Sequence, residues 1–434
     1  MFKIGLISHL EAPIEGQNSY SPGLQYDARI YADHFAATGT EIIYIKPWGR
    51  GDERMDLTGV RAVIGFEEMG DAALLNELRG WKRHTDRFHV CLVPNLEVMQ
   101  TRGKWSATLE NLDLIDIFIA KTPSLVGLIE KWIAHQPKKN ANARVMRVFH
   151  STPNRGEVIN FAAPRRNIIH FAGASYLKNT LEACHAGIEL VRKHGNIFQK
   201  FIIKITKWPN KRYAGRRGTT NLVVEDNAGR RGTTNLVVED NAGRRGTTNL
   251  VVEDNAEGII ALDKIAGTFK KVKQLCDENK EIVDLIVGGF MSDEQCAELY
   301  NTARLAICCS NAEGFGHSIV DAMRFGCLVV TTDGLPMRDL VPQGRTQGRT
   351  ASPSENKFVA PRLTASLARP TARRAHNFGI YYEVPAANIV STAETLDLAG
   401  YNEEIAHLCA DNYAAIVQKN KEDLILFGET IMSE

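Results

Sequence analysis

The run Glu313-Gly314-Phe315-Gly316-His317-Ser318-Ile319-Val320-Asp321-Ala322-Met323 sets two acids around a glycine-rich bend. An apolar, strand-like segment, Leu305 to Cys309, precedes it, and a helical pattern follows with Asp321 about one turn in. Main-chain N–H groups at a helix start form a ready anion site, and the helix dipole adds roughly half a positive charge. Gly314, Phe315 and Gly316 bring such amides forward, and His317 and Ser318 open the helix. One carboxylate stands before the bend and one behind it, each able to accept hydrogen bonds from hydroxyls. A diphosphate with a sugar on either side has that shape.

A second run, His170-Phe171-Ala172-Gly173-Ala174-Ser175-Tyr176-Leu177-Lys178, also passes from strand to helix. Gly173 lets the backbone turn, Ser175 follows, and Lys178 lies near the helix start, where an ammonium neutralises phosphate as a point charge. Lys178 and the amides of Phe315 to Ser318 can hold one diphosphate between them. In the first half, Val93-Pro94-Asn95-Leu96-Glu97 follows a strand. Asn95 or Glu97 can hold an acceptor hydroxyl or the reacting sugar there; helix capping by Asn95 and a solvated Glu97 fit equally well. His150 stands at a domain junction, as an acceptor contact or, preferably, a hinge hydrogen bond.

These groups need a scaffold, and the hydropathy pattern describes one. Strands are expected at Lys3–Ser8, Glu41–Ile45, Val60–Ile64, His89–Val93, Ile117–Ala120 and Val145–Phe149, with helices such as Tyr26–Ala37 and Ser124–Ala134 between them. After Ser151 to Gly156 the alternation restarts at Asn167–Phe171, Phe201–Ile205, Val283–Val287, Arg304–Cys308 and Cys327–Thr331. Such alternation means parallel sheets with helices on both faces. The expected fold is α/β, two Rossmann-like doubly wound domains facing a central cleft. Residues 1–150 form the acceptor-side domain, 151–160 a linker, 161–400 the nucleotide-binding domain, and 401–434 helices returning toward the first domain. Ligands of such sheets bind at the carboxyl ends of the strands.

Two stretches interrupt the pattern. A fourteen-residue unit repeats three times without change from Ala214, Ala228 and Ala242, and reads as a surface insertion over 214–256 with turns and short strands. Residues 343–375 carry seven basic side chains against the single acid Glu355, and read as a solvated, irregular loop able to meet phosphate-bearing acceptors or anionic lipid heads. The chain of 434 residues has a net charge of +1, which disfavours an extended polyanion such as nucleic acid. Its eight cysteines contain no C-x-x-C pair and read as buried thiols. Met1 to Ser8 reads as a strand rather than a leader, and no apolar run is long enough to span a bilayer. A cytoplasmic location is the expectation, with peripheral membrane contact and a homodimer left open.

Together the motifs resemble the retaining GT-B glycosyltransferases of family 4. The Glu313 to Asp321 spacing matches that family's E-x7-E motif, and Gly173 with Lys178 matches its glycine–lysine stretch. The resemblance implies that Glu313 meets donor-sugar hydroxyls, Asp321 holds the ribose, Lys178 stabilises the departing diphosphate, and Gly314 to Gly316 supply amides. It also implies that Gly16 to Gly23 line the donor from the opposite domain and that Glu97 lies near the anomeric centre. Two departures stand out: Asp321 replaces a glutamate, and Ala174 and Ser175 replace an arginine beside the glycine. Lys204 and Lys207 are candidates for the missing cation. No D-x-D occurs, so the metal signature of the other large glycosyltransferase fold is absent, and no metal or cofactor is expected. The expected reaction moves a hexose from GDP-mannose or a UDP-hexose to a glycan, lipid or protein. A nucleotide-sugar epimerase or hydrolase of the same fold, and a non-catalytic sugar-nucleotide-binding scaffold, remain as alternatives.

Overall fold

The computed structural model describes residues 2–7, 22–46, 55–66, 72–85, 87–94, 112–136, 139–152, 159–172, 178–206, 221–224, 236–239, 245–248, 256–288, 291–311, 313–340, 364–367, 374–376, 379–381 and 384–433. The expected Gly16, Asn95, Glu97, Gly173, Ser175 and Lys207 lie outside these residues.

The first sheet has six parallel strands in the order β2-β1-β3-β4-β5-β6. They are β1 (Lys3–Ile7), β2 (Glu41–Ile45), β3 (Val60–Phe66), β4 (His89–Val93), β5 (Ile117–Ala120) and β6 (Arg144–Arg147). Most are short continuous apolar runs because both faces are covered. Helices α2 (Ala72–His84) and α3 (Pro123–Ala134) bury Leu74, Leu78, Leu125 and Ile129 against one face. Helix α1 (Pro22–Ala37) buries Ala28, Tyr31 and Phe35 against the other.

The second sheet repeats the plan in the order β12-β8-β7-β13-β14-β15, again parallel. Its strands are β7 (Asn167–Ala172), β8 (Lys200–Thr206), β12 (Val283–Gly288), β13 (Ala303–Cys308), β14 (Leu328–Thr332) and β15 (Thr364–Leu367). Chain order reverses beside β7: β8 and β12 lie on one side of it and β13 to β15 on the other. That reversal opens a crevice between the loops leaving β7 and β13. Helices α4 (Thr180–Lys193), α5 (Ala256–Glu278) and α9 (Ala386–Ala393) cover one face. Helices α6 (Asp293–Thr302) and α7 (His317–Arg324) cover the other, and α8 (Met337–Leu340) follows β14.

The repeat forms a separate antiparallel sheet of β9 (Asn221–Val224), β10 (Leu236–Glu239) and β11 (Arg245–Thr248). Its copies do not use the same segment: β9 and β10 take the apolar part of the unit, β11 the Arg-Gly-Thr-Thr part. A sequence that repeats itself offers several pairings, and neighbours then decide the register. The stretch 343–375 differs from the irregular loop expected of it. Residues 364–367 pair with β14 as a sheet strand, and Arg374–His376 (β16) pairs with Gly379–Tyr381 (β17).

One helix, α10 (Glu403–Ser433), ties the domains together. Its Ile405 and Cys409 pack in one core of the second domain and Ile416 in the other. Leu424, Phe427 and Ile431 join the first-domain core beneath α1. Asp423 accepts both guanidinium N–H groups of Arg147, at 2.8 and 2.6 Å, and the Phe149 amide at 2.8 Å. Asn420 donates to the Phe149 carbonyl at 2.7 Å, and Tyr413 to the Thr152 carbonyl at 3.3 Å. Phe427 is fully buried, with its ring 6.1 Å from Tyr31 and 6.3 Å from Phe35. Phe427→Ala is expected to cost about 3–5 kcal/mol in urea unfolding, the usual range for an emptied aromatic site. A loss under about 1 kcal/mol would show that α10 does not anchor the first domain.

Candidate functional site

The crevice beside β7 holds the site. Lys178 follows β7, Glu313 follows β13, and the Lys178 ammonium donates to Glu313 Oε1 at 2.5 Å. Both side chains are mostly shielded, at 17% and 10% exposure. Short bonds fasten their two loops. Asn179, in the left-handed region at φ 49°, donates to the Cys309 carbonyl at 2.7 Å and accepts from Asn311 at 3.1 Å. The Cys309 thiol meets the Lys178 carbonyl at 3.6 Å. An asparagine tolerates this conformation better than most residues.

Glycine is required at the bend before α7. Gly316 has φ 106°, and a Cβ there would meet Leu340 Cδ1 at 2.9 Å. Its carbonyl accepts from the Ile319 amide at 2.9 Å, so the His317 and Ser318 amides belong to the unsatisfied first turn. Phe315 is buried, its ring 5.0 Å from His317 and 5.7 Å from His150. Asp321 is 8% exposed on the inner side of α7, where it contributes to raising the buried Tyr300 phenol, after burial itself. Thus Lys178, Glu313, Gly314, Phe315, Gly316, His317, Ser318 and Asp321 gather at one strand-end crevice.

Two further candidates are buried in the fold. Lys204 lies within β8, inside the expected strand Phe201–Ile205; burial lowers its ammonium below the ordinary lysine range. A side chain 5% exposed on a central strand is a poor second cation for an incoming phosphate. His150 is wholly enclosed, and both ring nitrogens are occupied by first-domain groups: Nδ1 by Asp27 at 2.9 Å, Nε2 by Tyr31 at 3.1 Å.

The larger feature is one the sequence did not single out. Asp27, on α1, is 2% exposed and meets the Lys121 ammonium, His150 and, across the domain junction, His317 at 3.1 Å. Burial pushes its carboxyl up, but Lys121 and the two imidazoles outweigh this and hold it well below the usual range. Burial holds His150 below the ordinary imidazole range despite Asp27, so it is neutral at pH 7. Its Nδ1–H then donates to Asp27 and its Nε2 accepts from the Tyr31 hydroxyl. No local motif marks Asp27, because its partners lie 94 to 290 residues away. A second contact crosses the junction at α3, where the Ser124 amide donates to Asp339 at 2.8 Å. His170, below the crevice on β7, bonds the Ile307 carbonyl at 2.7 Å and is lowered to about 4 by burial. Among the described residues no group of three or more His, Cys, Asp or Glu is arranged to hold a metal ion. No described helix is long and apolar enough to cross a membrane.

Residues 262–379 match the family model "Glycosyl transferases group 1", a span that contains β12 to β14, the Glu313 loop and α7. No curated protein matches the sequence. Solved structures share the whole fold at low identity. Sucrose-phosphate synthase from Thermosynechococcus elongatus is 14% identical with a TM-score of 0.56, covering 100% of this chain and 99% of its own. A structure described as trehalose-6-phosphate synthase, OtsA, is 7% identical with a TM-score of 0.57 over 100% and 99%. One from E. coli, described as bound with UDP-2-fluoro glucose, is 8% identical with a TM-score of 0.56 over 99% and 98%. The two parallel-sheet domains are therefore a GT-B fold, and the chain carries the group 1 glycosyltransferase segment in its second domain. It is a glycosyltransferase by that evidence.

The buried imidazoles set the acid response. A histidine kept neutral by the fold binds a proton more readily when unfolded, so its stability contribution is present above the unfolded value, near 6.5, and is lost below it. His150 and His170 both have this sign. Unfolding free energy should fall as pH drops from about 6.5 toward 4, by up to about 1.4 kcal/mol per pH unit per group. His170→Gln should flatten that decline in a urea series; an unchanged slope would contradict the assignment.

Proposed function

We propose that this chain moves a hexose from a nucleoside-diphosphate sugar to an acceptor hydroxyl, with retention at the anomeric carbon and without a metal. The observation that carries the reading is the meeting of Lys178 and Glu313 beside the first turn of α7, at the sheet's switch point. The donor's diphosphate takes the His317 and Ser318 amides, and Lys178 turns from Glu313 to the phosphate. Glu313 is then free to accept from hydroxyls of the donor sugar. Asp321, inward on α7, receives the ribose hydroxyls; its buried position suits a short, oriented contact. As the bond from the anomeric carbon to the phosphate oxygen breaks, charge collects on the leaving diphosphate. Fixed amides and one ammonium meet that charge without reorganising, the arrangement in which electrostatic stabilisation is largest. The acceptor oxygen bonds the same carbon, and the first domain closes over it to exclude water.

Sugar transfer is told from epimerisation or plain hydrolysis by its need for an acceptor, since a same-fold epimerase or hydrolase has the same two cleft walls. The acceptor itself is a glycan, lipid or protein bearing a free hydroxyl; Asn95 and Glu97 remain the proposed first-domain contacts.

The test is a panel of nucleotide-sugars titrated into purified protein, followed by release of nucleoside diphosphate with and without acceptor glycans and lipids. One donor class should bind without added metal, and EDTA should change neither binding nor turnover. Lys178→Ala should lower kcat by about 10²-fold, the scale of one lost leaving-group donor. Glu313→Ala should weaken the nucleotide-sugar far more than the free nucleoside diphosphate, because its partner is the sugar. Turnover equal to wild type in a variant carrying both Lys178→Ala and Glu313→Ala, or turnover only with a divalent cation, would overturn the proposal.

A further inference from the structure

One set of ionisable groups stands next to the proposed donor seat and has no part in the chemistry above. Asp27 collects the Lys121 ammonium and His150 from its own domain and His317 from the other. His317 is the first residue of α7, and its side chain is 15% exposed. Its Nε2 points at Asp27, while Nδ1 is buried and has no hydrogen-bond partner among the described residues. A buried polar atom left unpaired is costly, and a native example calls for an explanation. Among the described residues, the ionisable groups of the Asp27 cluster have settled states. Asp27 is anionic, Lys121 pairs with it, His150 is neutral, and the Tyr31 phenol is kept protonated by burial. Tyr26, also on α1, packs its ring edge 5.4 Å from His317 and directs its hydroxyl to Asp293 of α6 at 3.5 Å.

Lys121 already balances Asp27, so among the described residues an imidazolium at His317 would have no anion of its own. A diphosphate at the start of α7 supplies one. We infer that His317 binds a proton together with the nucleoside diphosphate, Nδ1–H donating to a phosphate oxygen while Nε2–H stays on Asp27. This rests on the diphosphate seat proposed above and deepens it. The proton comes from solvent, and the bound anion favours the charged ring. Imidazole is the side chain suited to such a change near neutrality. The seat then holds two cations, Lys178 and His317. Asp27 acts as a positioning residue that aims the ring. Because Asp27 belongs to the first domain, the second cation is in place only while α1 lies against α7, so domain closure and charge assembly are one event.

The experiment is calorimetric titration of the full chain with UDP and GDP at pH 7.5, in buffers of different ionisation enthalpy, repeated between pH 6 and 8.5. The wild type should take up a fraction of a proton on binding, and affinity should fall by up to tenfold per pH unit above neutrality. His317→Gln keeps a polar side chain without the charge. It should bind about tenfold more weakly and lose that uptake, leaving the ionisation of the nucleotide itself. Asp27→Asn should reduce the uptake as well. Should either variant fail to fold, the 15N shifts of the wild-type imidazole, read with and without nucleotide, report the same proton. Equal uptake and pH slope in wild type and His317→Gln, or an unchanged His317 resonance on saturation, would overturn this inference and leave the seat intact. No binding of either nucleotide by the wild type would instead remove the seat.

Discussion

The contact between Lys178 and Glu313 depends on a topological fact: β7 and β13 are neighbours although more than a hundred residues separate their ends. The reversal of strand order at that pair parts the following loops and leaves room at the strand ends. Asn179 and Asn311 close the loops side to side, and Gly316 turns the chain sharply enough to aim the start of α7 into the gap. Remove the reversal and the same residues would form two unrelated helix starts. The ammonium and carboxylate satisfy each other, so neither is left as an uncompensated, mostly buried charge.

The second domain alone does not complete the cleft. Its α7 rests on α1 through His317 and Asp27, and α3 receives Asp339 at its first turn. The α10 helix passes from the cores of the second domain into the core beneath α1, with Asp423 and Asn420 gripping the strand exit at Arg147 and Phe149. These contacts are polar at the cleft and apolar behind it. Apolar packing along α10 sets a pivot, whereas the few hydrogen bonds at the cleft can break and reform as substrates enter, as domain closure requires.

Much of this was readable in the sequence because it is local. Runs such as Val90 to Val93 and Ile117 to Ala120 are too short and too apolar to be anything but buried strands, and Glu41–Ile45, His89–Val93 and Ile117–Ala120 have the expected limits. The Glu313 loop was legible because its glycines, acids and helix start are consecutive. Asp27 was not, since nothing near it in the chain distinguishes it from a solvated helix acid; its three partners, Lys121, His150 and His317, converge only in the fold. Lys204 misled for a related reason: the sequence places a lysine in a strand but does not show that the fold buries its side chain. The strand at 364–367 was hidden by the basic residues around it, which signal solvation while the backbone completes a sheet edge. The repeat shows the converse limit. Its copies are identical, so only tertiary neighbours can assign them different pairings.

The central claim is that a pyrophosphate is seated by the first-turn amides of α7, with Lys178 drawn off Glu313 to meet it. A crystal structure of the chain with a bound nucleoside diphosphate tests this most directly. The account predicts phosphate oxygens within about 3 Å of the His317 and Ser318 amides. It also predicts the Lys178 ammonium on phosphate rather than on Glu313, and the ribose toward Asp321. A nucleotide found elsewhere, with the Lys178–Glu313 pair still closed, would contradict it.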